Sequence, residues 1–265
     1  MSSDALLALE GVTMMFGGLK AVSELDLEVR AGDLVGLIGP NGAGKTTVFN
    51  AITGVYAPTA GRIRLEGRPI QGLKPHVIAH RGITRTFQNI RLFSSRNCRE
   101  NVCIAAHQHA RAGLLAALLR TPGFAADERA MREQADELLA VLGLSEWAEV
   151  RASDLPYGQQ RRLEIARALA GRPKLLLLDE PAAGLNPQES QELMHLIEDI
   201  RGRFKVTILL IEHDMRVVMG ICRRITVLDY GSKISEGTPD QIRKDPKVIE
   251  AYLGEEVSAD LGAGA

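Results

Sequence analysis

Gly39, Asn41, Gly42, Ala43, Gly44, Lys45, Thr46 and Thr47 stand in one short stretch, and Gly39, Gly44, Lys45 and Thr46 fit the spacing G-x-x-x-x-G-K-[ST]. Glycines there let the backbone come close to a polyphosphate. Successive N–H groups and the start of the following helix face its negative charge, Lys45 reaches the terminal phosphates, and the Thr46 hydroxyl can ligate Mg²⁺. Such a loop needs a strand before it and a helix after it. The apolar run 34–38 supplies the first, and a helix predicted from Thr46 supplies the second. A chance glycine-rich turn is the alternative, and that context argues against it.

Four leucines, 175–178, run into Asp179 and Glu180. Alone, an acidic pair after leucines reads as a solvated strand end. Beside a phosphate loop it reads as chemistry: Asp179 holds Mg²⁺ through water, and Glu180 orients or deprotonates the attacking water. The guanine-reading pattern Asn-Lys-x-Asp is absent. His107 and His109 are two apart, so on a helix they point in different directions, which argues against a metal site.

The elements that must position these residues follow from hydropathy. Short apolar or alternating runs at 6–9, 12–16 and 25–29 predict an antiparallel β layer, joined by a strand at 62–65. The fully apolar runs 175–178 and 206–211 predict parallel strands buried on both faces, bracketing a helix near 189–200. Between them, residues 94–150 are rich in Ala, Leu and Arg. Met131, Ala135, Leu138, Leu139 and Leu142 recur there at helical spacing, and Thr121-Pro122-Gly123 breaks that helix from the apolar stretch 114–119. The expected architecture is α/β, a phosphate-loop NTPase core with an antiparallel β layer and an inserted helical subdomain. The core takes residues 1–93 and 160–254, the helical subdomain 94–159, and a flexible tail 255–265.

Composition narrows the partners. The 265 residues are 45% hydrophobic, ample for a core, and 32 basic against 33 acidic residues leave a net charge of −1, so nothing calls for nucleic acid or an anionic membrane. Cys98, Cys103 and Cys222 form no CxxC pair and fit a reducing compartment. Residues 1–10 lack a signal-peptide pattern, and the apolar runs are strand-sized. If the protein powers transport, other chains supply the pore.

The class comes from a further run. Leu155-Pro156-Tyr157-Gly158-Gln159-Gln160-Arg161-Arg162, ahead of Asp179, resembles the Leu-Ser-Gly-Gly-Gln signature of ATP-binding cassette (ABC) ATPases. With it come Gln88 in Thr86-Phe87-Gln88-Asn89, the loop Ala183-Gly184-Leu185-Asn186, and His213 after strand 206–211, all in ABC order across nearly the whole chain. The resemblance implies an ATPase using ATP and Mg²⁺. Gln88 would sense the metal and the attacking water, and His213 would contact the γ-phosphate. Phe16, in Met15-Phe16-Gly17-Gly18, would stack on adenine. Leu155, Tyr157, Gly158 and Gln159 would meet the nucleotide held by a second cassette. Ordinary polar residues at element ends, and for Phe16 a strand-end core aromatic, are the plain alternatives.

Further details are similar to the larger ATP-binding subunit of high-affinity branched-chain amino acid importers. They are the runs Tyr157 through Arg167, Leu178 through Pro187 and Ile211 through Met215, the insert with Gly113-Leu114-Leu115, and the end with Gly237-Thr238-Pro239 and Ala251-Tyr252-Leu253-Gly254. This implies a peripheral protein on the cytoplasmic face of the membrane. Its partners would be two transmembrane permease subunits, a second ATP-binding subunit in a heterodimer (a homodimer in isolation), and indirectly a periplasmic or extracellular binding protein. Urea or amide uptake, lipopolysaccharide export and a soluble non-transport ABC ATPase are the alternatives. The chain departs from the family pattern at Pro156 and Tyr157, where a typical signature has Ser and Gly. Pro156 offers neither hydroxyl nor N–H.

Overall fold

The computed structural model describes residues 5–110, 116, 118–119 and 121–252. Two sheets organise it. The first is antiparallel, in the order β2 (Leu19–Arg30), β1 (Ala5–Phe16), β4 (Ala60–Leu65) and β5 (Arg68–Pro69). The second runs β10 (Ser232–Gly237), β9 (Arg224–Asp229), β3 (Leu34–Ile38), β8 (Thr207–Ile211), β7 (Leu175–Asp179) and β6 (Ile83–Arg85). In it β9 and β10 pair antiparallel, and every other pairing is parallel.

The leucine run of β7 shows why the second sheet is apolar throughout. Side chains alternate between faces. Leu175 and Leu177 enter a core shared with β1, β2 and the helix α1 (Lys45–Ile52), whereas Leu176 and Leu178 enter the core on the other side. β8 divides likewise, Leu209 and Ile211 to one core, Ile208 and Leu210 to the other. All of these are buried. Each such leucine contributes about 1.5–3 kcal/mol relative to exposure, and a polar residue on either face would forfeit that.

α2 (Pro75–His80) sends Ile78 into the core of α1. The other core is closed by α3 (Cys98–Ala106), α4 (Pro122–Val141), α5 (Tyr157–Ala170), α6 (Pro187–Phe204), α7 (Met215–Ile221) and α8 (Pro239–Lys244). The helical spacing read at 131–142 holds in α4, whose Ala135, Leu138 and Leu139 are buried. α3 and α6 open with capping boxes, Asn97 with Glu100 and Asn186 with Glu189. α7 packs tightly on β3: a Cβ on Gly36 would lie 3.1 Å from Cys222 Sγ. Burial pushes that thiol up to about 12, so Cys222 is a packing residue, and all three cysteines are free.

The α/β fold with its β layer and helices is the one expected. Boundaries differ slightly, since α1 begins at Lys45 rather than Thr46 and β4 at Ala60 rather than residue 62. Half of the apolar stretch 114–119 and the whole tail 255–265 lie outside the described residues. Among the described residues no helix is long and apolar enough to cross a membrane.

Candidate nucleotide site

The phosphate loop leaves β3 and turns into α1 under tight backbone contact. Gly39 has φ +149° and Gly44 φ +99°; an added Cβ would sit 2.0 Å from Leu228 O at the first and 2.5 Å from Ala21 O at the second. Only glycine fits either place. Gly44 is also the N-cap of α1 and supplies no side-chain cap, so the first amides of that helix are left for another acceptor. Lys45 is buried, its Nζ donating to Gly39 O at 2.6 Å and Pro40 O at 2.8 Å. Thr46 is exposed and Thr47 half-buried.

Parallel pairing brings the acidic pair to the same edge, because Asp179 is level with Ile211 and Ile211 with Leu37. Asp179 is buried. Its Oδ2 accepts from Arg85 Nη2 at 2.6 Å, and its amide donates to Thr86 Oγ1. Arg85 also donates to Asn50 Oδ1, and its guanidinium lies 5.4 Å from the ring centre of Phe49 and 5.2 Å from that of Phe87. Glu180 follows at φ +48°, an unusual conformation for a glutamate, held by its amide donating to Ile211 O at 2.9 Å. Gln88 Nε2 donates to Glu180 Oε2 at 2.9 Å, and His213 Nδ1 lies 3.8 Å from the same oxygen.

Beneath these lies Glu212, wholly buried. Its Oε1 accepts from Ala182 N, and its Oε2 from the amides of His213 and Asp214. One carboxylate therefore fastens the loop after Glu180 to the loop bearing His213. Burial pushes Glu212 above the usual carboxylate range, against those hydrogen bonds.

A cleft of about 560 Å³ gathers Phe16, residues 41–47, Gln88 and Glu180 on its wall, with Leu19, Lys20, Ala21 and Tyr230. Phe16 is half exposed there and meets Tyr56 edge-on at 5.2 Å. Leu155, Tyr157, Gly158 and Gln159 do not line this cleft. They open α5, whose N-cap Pro156 provides no side-chain hydrogen bond. Gln159 Oε1 is buried without a hydrogen-bond partner. The Tyr157 hydroxyl turns inward, donating to Ala183 O at 3.1 Å.

Behind the signature, Arg161 and Glu164 are buried together, 3.4 Å apart, and both hold the Gln88 loop. Arg161 donates to Phe87 O and Gln88 O, and Glu164 Oε1 accepts from Phe87 N and Arg91 N. Sequence reasoning missed Arg85, Tyr56, Glu212, Arg161 and Glu164 as contributors. The signal available for Glu212 was a carboxylate placed directly after an apolar strand.

The donors suit ATP with Mg²⁺. The uncapped amides of α1 and the glycine cradle fit a polyphosphate, and the oxygens of Thr46, Gln88 and Asp179 are the hard ligands Mg²⁺ takes. Among the described residues no group of three or more His, Cys, Asp or Glu is arranged for a metal.

The fold and the cleft define a phosphate-loop nucleoside triphosphatase. The ABC transporter family model matches residues 22–183, and a model described as a branched-chain amino acid ATP-binding cassette transporter matches residues 232–258. The chain is 52% identical over 253 residues to the high-affinity branched-chain amino acid transport ATP-binding protein BraF of Pseudomonas aeruginosa. It is 51% identical over 253 residues to LivG, of the same description, from Escherichia coli, and covers 96% of this chain and 99% of the relative in both cases. A crystal structure of the ADP conformation of an ATP-binding cassette of an ABC transporter has TM-score 0.83 at 32% identity, covering 94% of this chain and 99% of that one. The chain belongs to the ABC transporter family and is an ATP-binding, ATP-hydrolysing subunit.

Glu164 yields a pH test. Burial raises it from its ordinary value of 4.5, outweighing the amides of Arg91 and Phe87 and the Arg161 charge. A raised carboxyl binds its proton more tightly in the folded chain. Its stabilisation is therefore present at acid pH and lost as pH rises from the ordinary value through the raised one. Urea midpoints of wild type and Glu164→Gln, measured from about pH 4 to about pH 8, should show the wild type losing stability relative to the variant as pH rises. A difference independent of pH would show that Glu164 titrates normally.

Proposed function

We propose that this chain is one of two cassettes that drive uptake of branched-chain amino acids through a membrane transporter. The observation that carries the chemistry is the convergence of residues 41–47, Gln88 and Glu180 on one cleft. Similarity over 96% of the chain to two branched-chain amino acid transport subunits supports the substrate class. No residue of this chain needs to touch the amino acid. Two transmembrane permease subunits, a different second ATP-binding subunit and an external binding protein complete the assembly, with this chain on the cytoplasmic face. Residues 94–159 are proposed as a helical subdomain on a core of 1–93 and 160–254, with α5 running across the boundary.

In this reading Phe16 stacks on adenine while the amides of residues 39–47 hold the phosphates. Lys45 exchanges the carbonyls of Gly39 and Pro40 for the β- and γ-phosphates. Thr46, Gln88 and Asp179 would hold Mg²⁺, which would neutralise charge developing on the phosphates. The bond from Arg85 Nη2 to Asp179 Oδ2 keeps that carboxylate in place. Glu180 takes the proton of the attacking water, Gln88 orients that water, and His213 contacts the γ-phosphate. Leu155, Tyr157, Gly158 and Gln159 present the uncapped start of α5 to the nucleotide of the partner cassette.

Reconstituted with its membrane subunits in liposomes, the complex should raise its ATPase rate with a leucine-loaded binding protein and not with a urea-loaded one. The reverse preference would overturn the substrate assignment. Glu180→Gln keeps the shape of the side chain and removes the base, so turnover should fall about 10²- to 10⁴-fold; a normal rate would remove Glu180 from that role.

The signature makes the two ATP sites unequal. Pro156 supplies no hydroxyl or N–H, and the Tyr157 hydroxyl, which could have replaced the missing serine, donates instead to Ala183 O. One lost hydrogen bond to a charged group costs about 1.5–3 kcal/mol, on the order of 10- to 100-fold in rate. The partner's nucleotide bears that cost, since the site of this chain uses the partner's signature. Glu180→Gln should therefore damage transport more than the equivalent change in the partner. Equal defects, or a worse one from the partner's mutation, would refute the asymmetry.

A further inference from the structure

Tyr157 stands where two chains of hydrogen bonds meet. Arg161 Nη2 donates to the Tyr157 hydroxyl at 2.9 Å and to Gln88 O at 2.6 Å. The side chain of Gln88 in turn donates to the carboxylate of Glu180 at 2.9 Å. Along the other arm, the Tyr157 hydroxyl donates to Ala183 O at 3.1 Å, and Ala183 N donates to Glu180 O at 3.1 Å. One arm ends on the carboxylate of Glu180 and the other on its backbone. The ring lies against Gly184, where a Cβ would come within 3.1 Å of Tyr157 Cε1. With its one hydrogen given to Ala183 O and a lone pair facing Arg161, this hydroxyl is engaged within its own chain.

Tyr157 is also the first residue of α5, next to the uncapped amides of Gly158 and Gln159. An anion drawn to those amides pulls on the turn from which the phenol projects. We propose that Tyr157 is a positioning residue for hydrolysis in its own cassette, its hydroxyl tying the start of α5 to both arms that set the geometry of Glu180. Arrival of the partner's nucleotide at α5 is thereby reported to the water-activating glutamate of this chain. The inference rests on the reading of Glu180 as the base and adds the element that makes one site answer to the other.

The test uses Tyr157→Phe in the complete transporter in liposomes, which keeps the ring against Gly184 and removes the oxygen alone. Maximal ATPase turnover should fall about tenfold, the rate equivalent of one hydrogen bond to a charged group. The KM for ATP, ATP-driven association of the two cassettes and the melting temperature should stay close to wild type. Combined with Gln88→Ala, the losses should be less than multiplicative, because both changes cut connections to the same carboxylate. Unchanged turnover, or losses that simply multiply, would overturn the proposal. So would weakened ATP-driven association at normal turnover, which would show the hydroxyl serving the partner's nucleotide, or a rate loss that merely follows a lowered melting temperature. Normal turnover in Glu180→Gln would refute the underlying assignment of the base. A silent Tyr157→Phe beside an inactive Glu180→Gln would refute only the tie.

Discussion

The in-register pairing of three parallel strands is what the nucleotide edge depends on. Leu37 of β3 and Asp179 of β7 are both paired with Ile211 of β8, so three chain segments reach the edge at one level. Within two residues beyond that level stand Gly39, Glu180 and His213. Ligands of open α/β sheets gather at the carboxyl ends of the strands, because there every strand delivers a loop to the same side. The amide of Glu180 extends the ladder by one more bond, to Ile211 O, and this bond fixes a backbone that a glutamate would not adopt by preference. A slip of one residue in β7 would only exchange leucine for leucine between two packed cores, so the register is set at the strand end, where Asp179 would lose Arg85 and Thr86.

Buried charge does the finer positioning. Arg85 with Asp179, Arg161 with Glu164, and Glu212 among amides and beside His213 all sit largely shielded from water. Removing ions from water is costly, and a buried pair is weak evidence for stability, so geometry is the more natural reason for their presence. Each group spans loops that lack regular structure. Glu212 joins the segments at Ala182 and His213, and Glu164 gathers the amides of Phe87 and Arg91. The loops around Glu180 are thus held by directional bonds to acceptors that cannot drift toward solvent.

Much of this was legible in the sequence where the signal was local. The spacing of Gly39 through Thr46 needs no tertiary information, because the residues that bind are neighbours. The run 175–178 announced its own burial, and the acidic pair followed it. Strands and residues defined by distant partners were not legible. β6 is three residues long, and what makes it a strand is its pairing with β7, 92 residues further along the chain. Arg85 looks like any strand-end arginine until Asp179 and Asn50 are brought to it. The inward turn of Tyr157 was hidden for the same reason: a hydroxyl in an exposed signature suggests an outward contact, and its acceptor, Ala183 O, is a backbone atom invisible to any motif.

Helix N-termini separate structural from ligand-directed ends. Among the described helices of eight residues or more, α3, α4 and α6 have their first amides closed by side chains, those of Asn97, Thr121 and Asn186. α1 and α5 have no such cap. Leaving the positive end of a helix uncovered forgoes about 1 kcal/mol that a serine or asparagine would supply, a loss that selection removes easily unless the amides have other work. α1 opens into the cleft beside Glu180. α5 opens elsewhere, with Leu155, Tyr157, Gly158 and Gln159 all absent from that wall. The separation of these two uncapped starts, with the second joined to Glu180 through Tyr157, Arg161 and Gln88, is the arrangement that the proposed pairing of two cassettes would use.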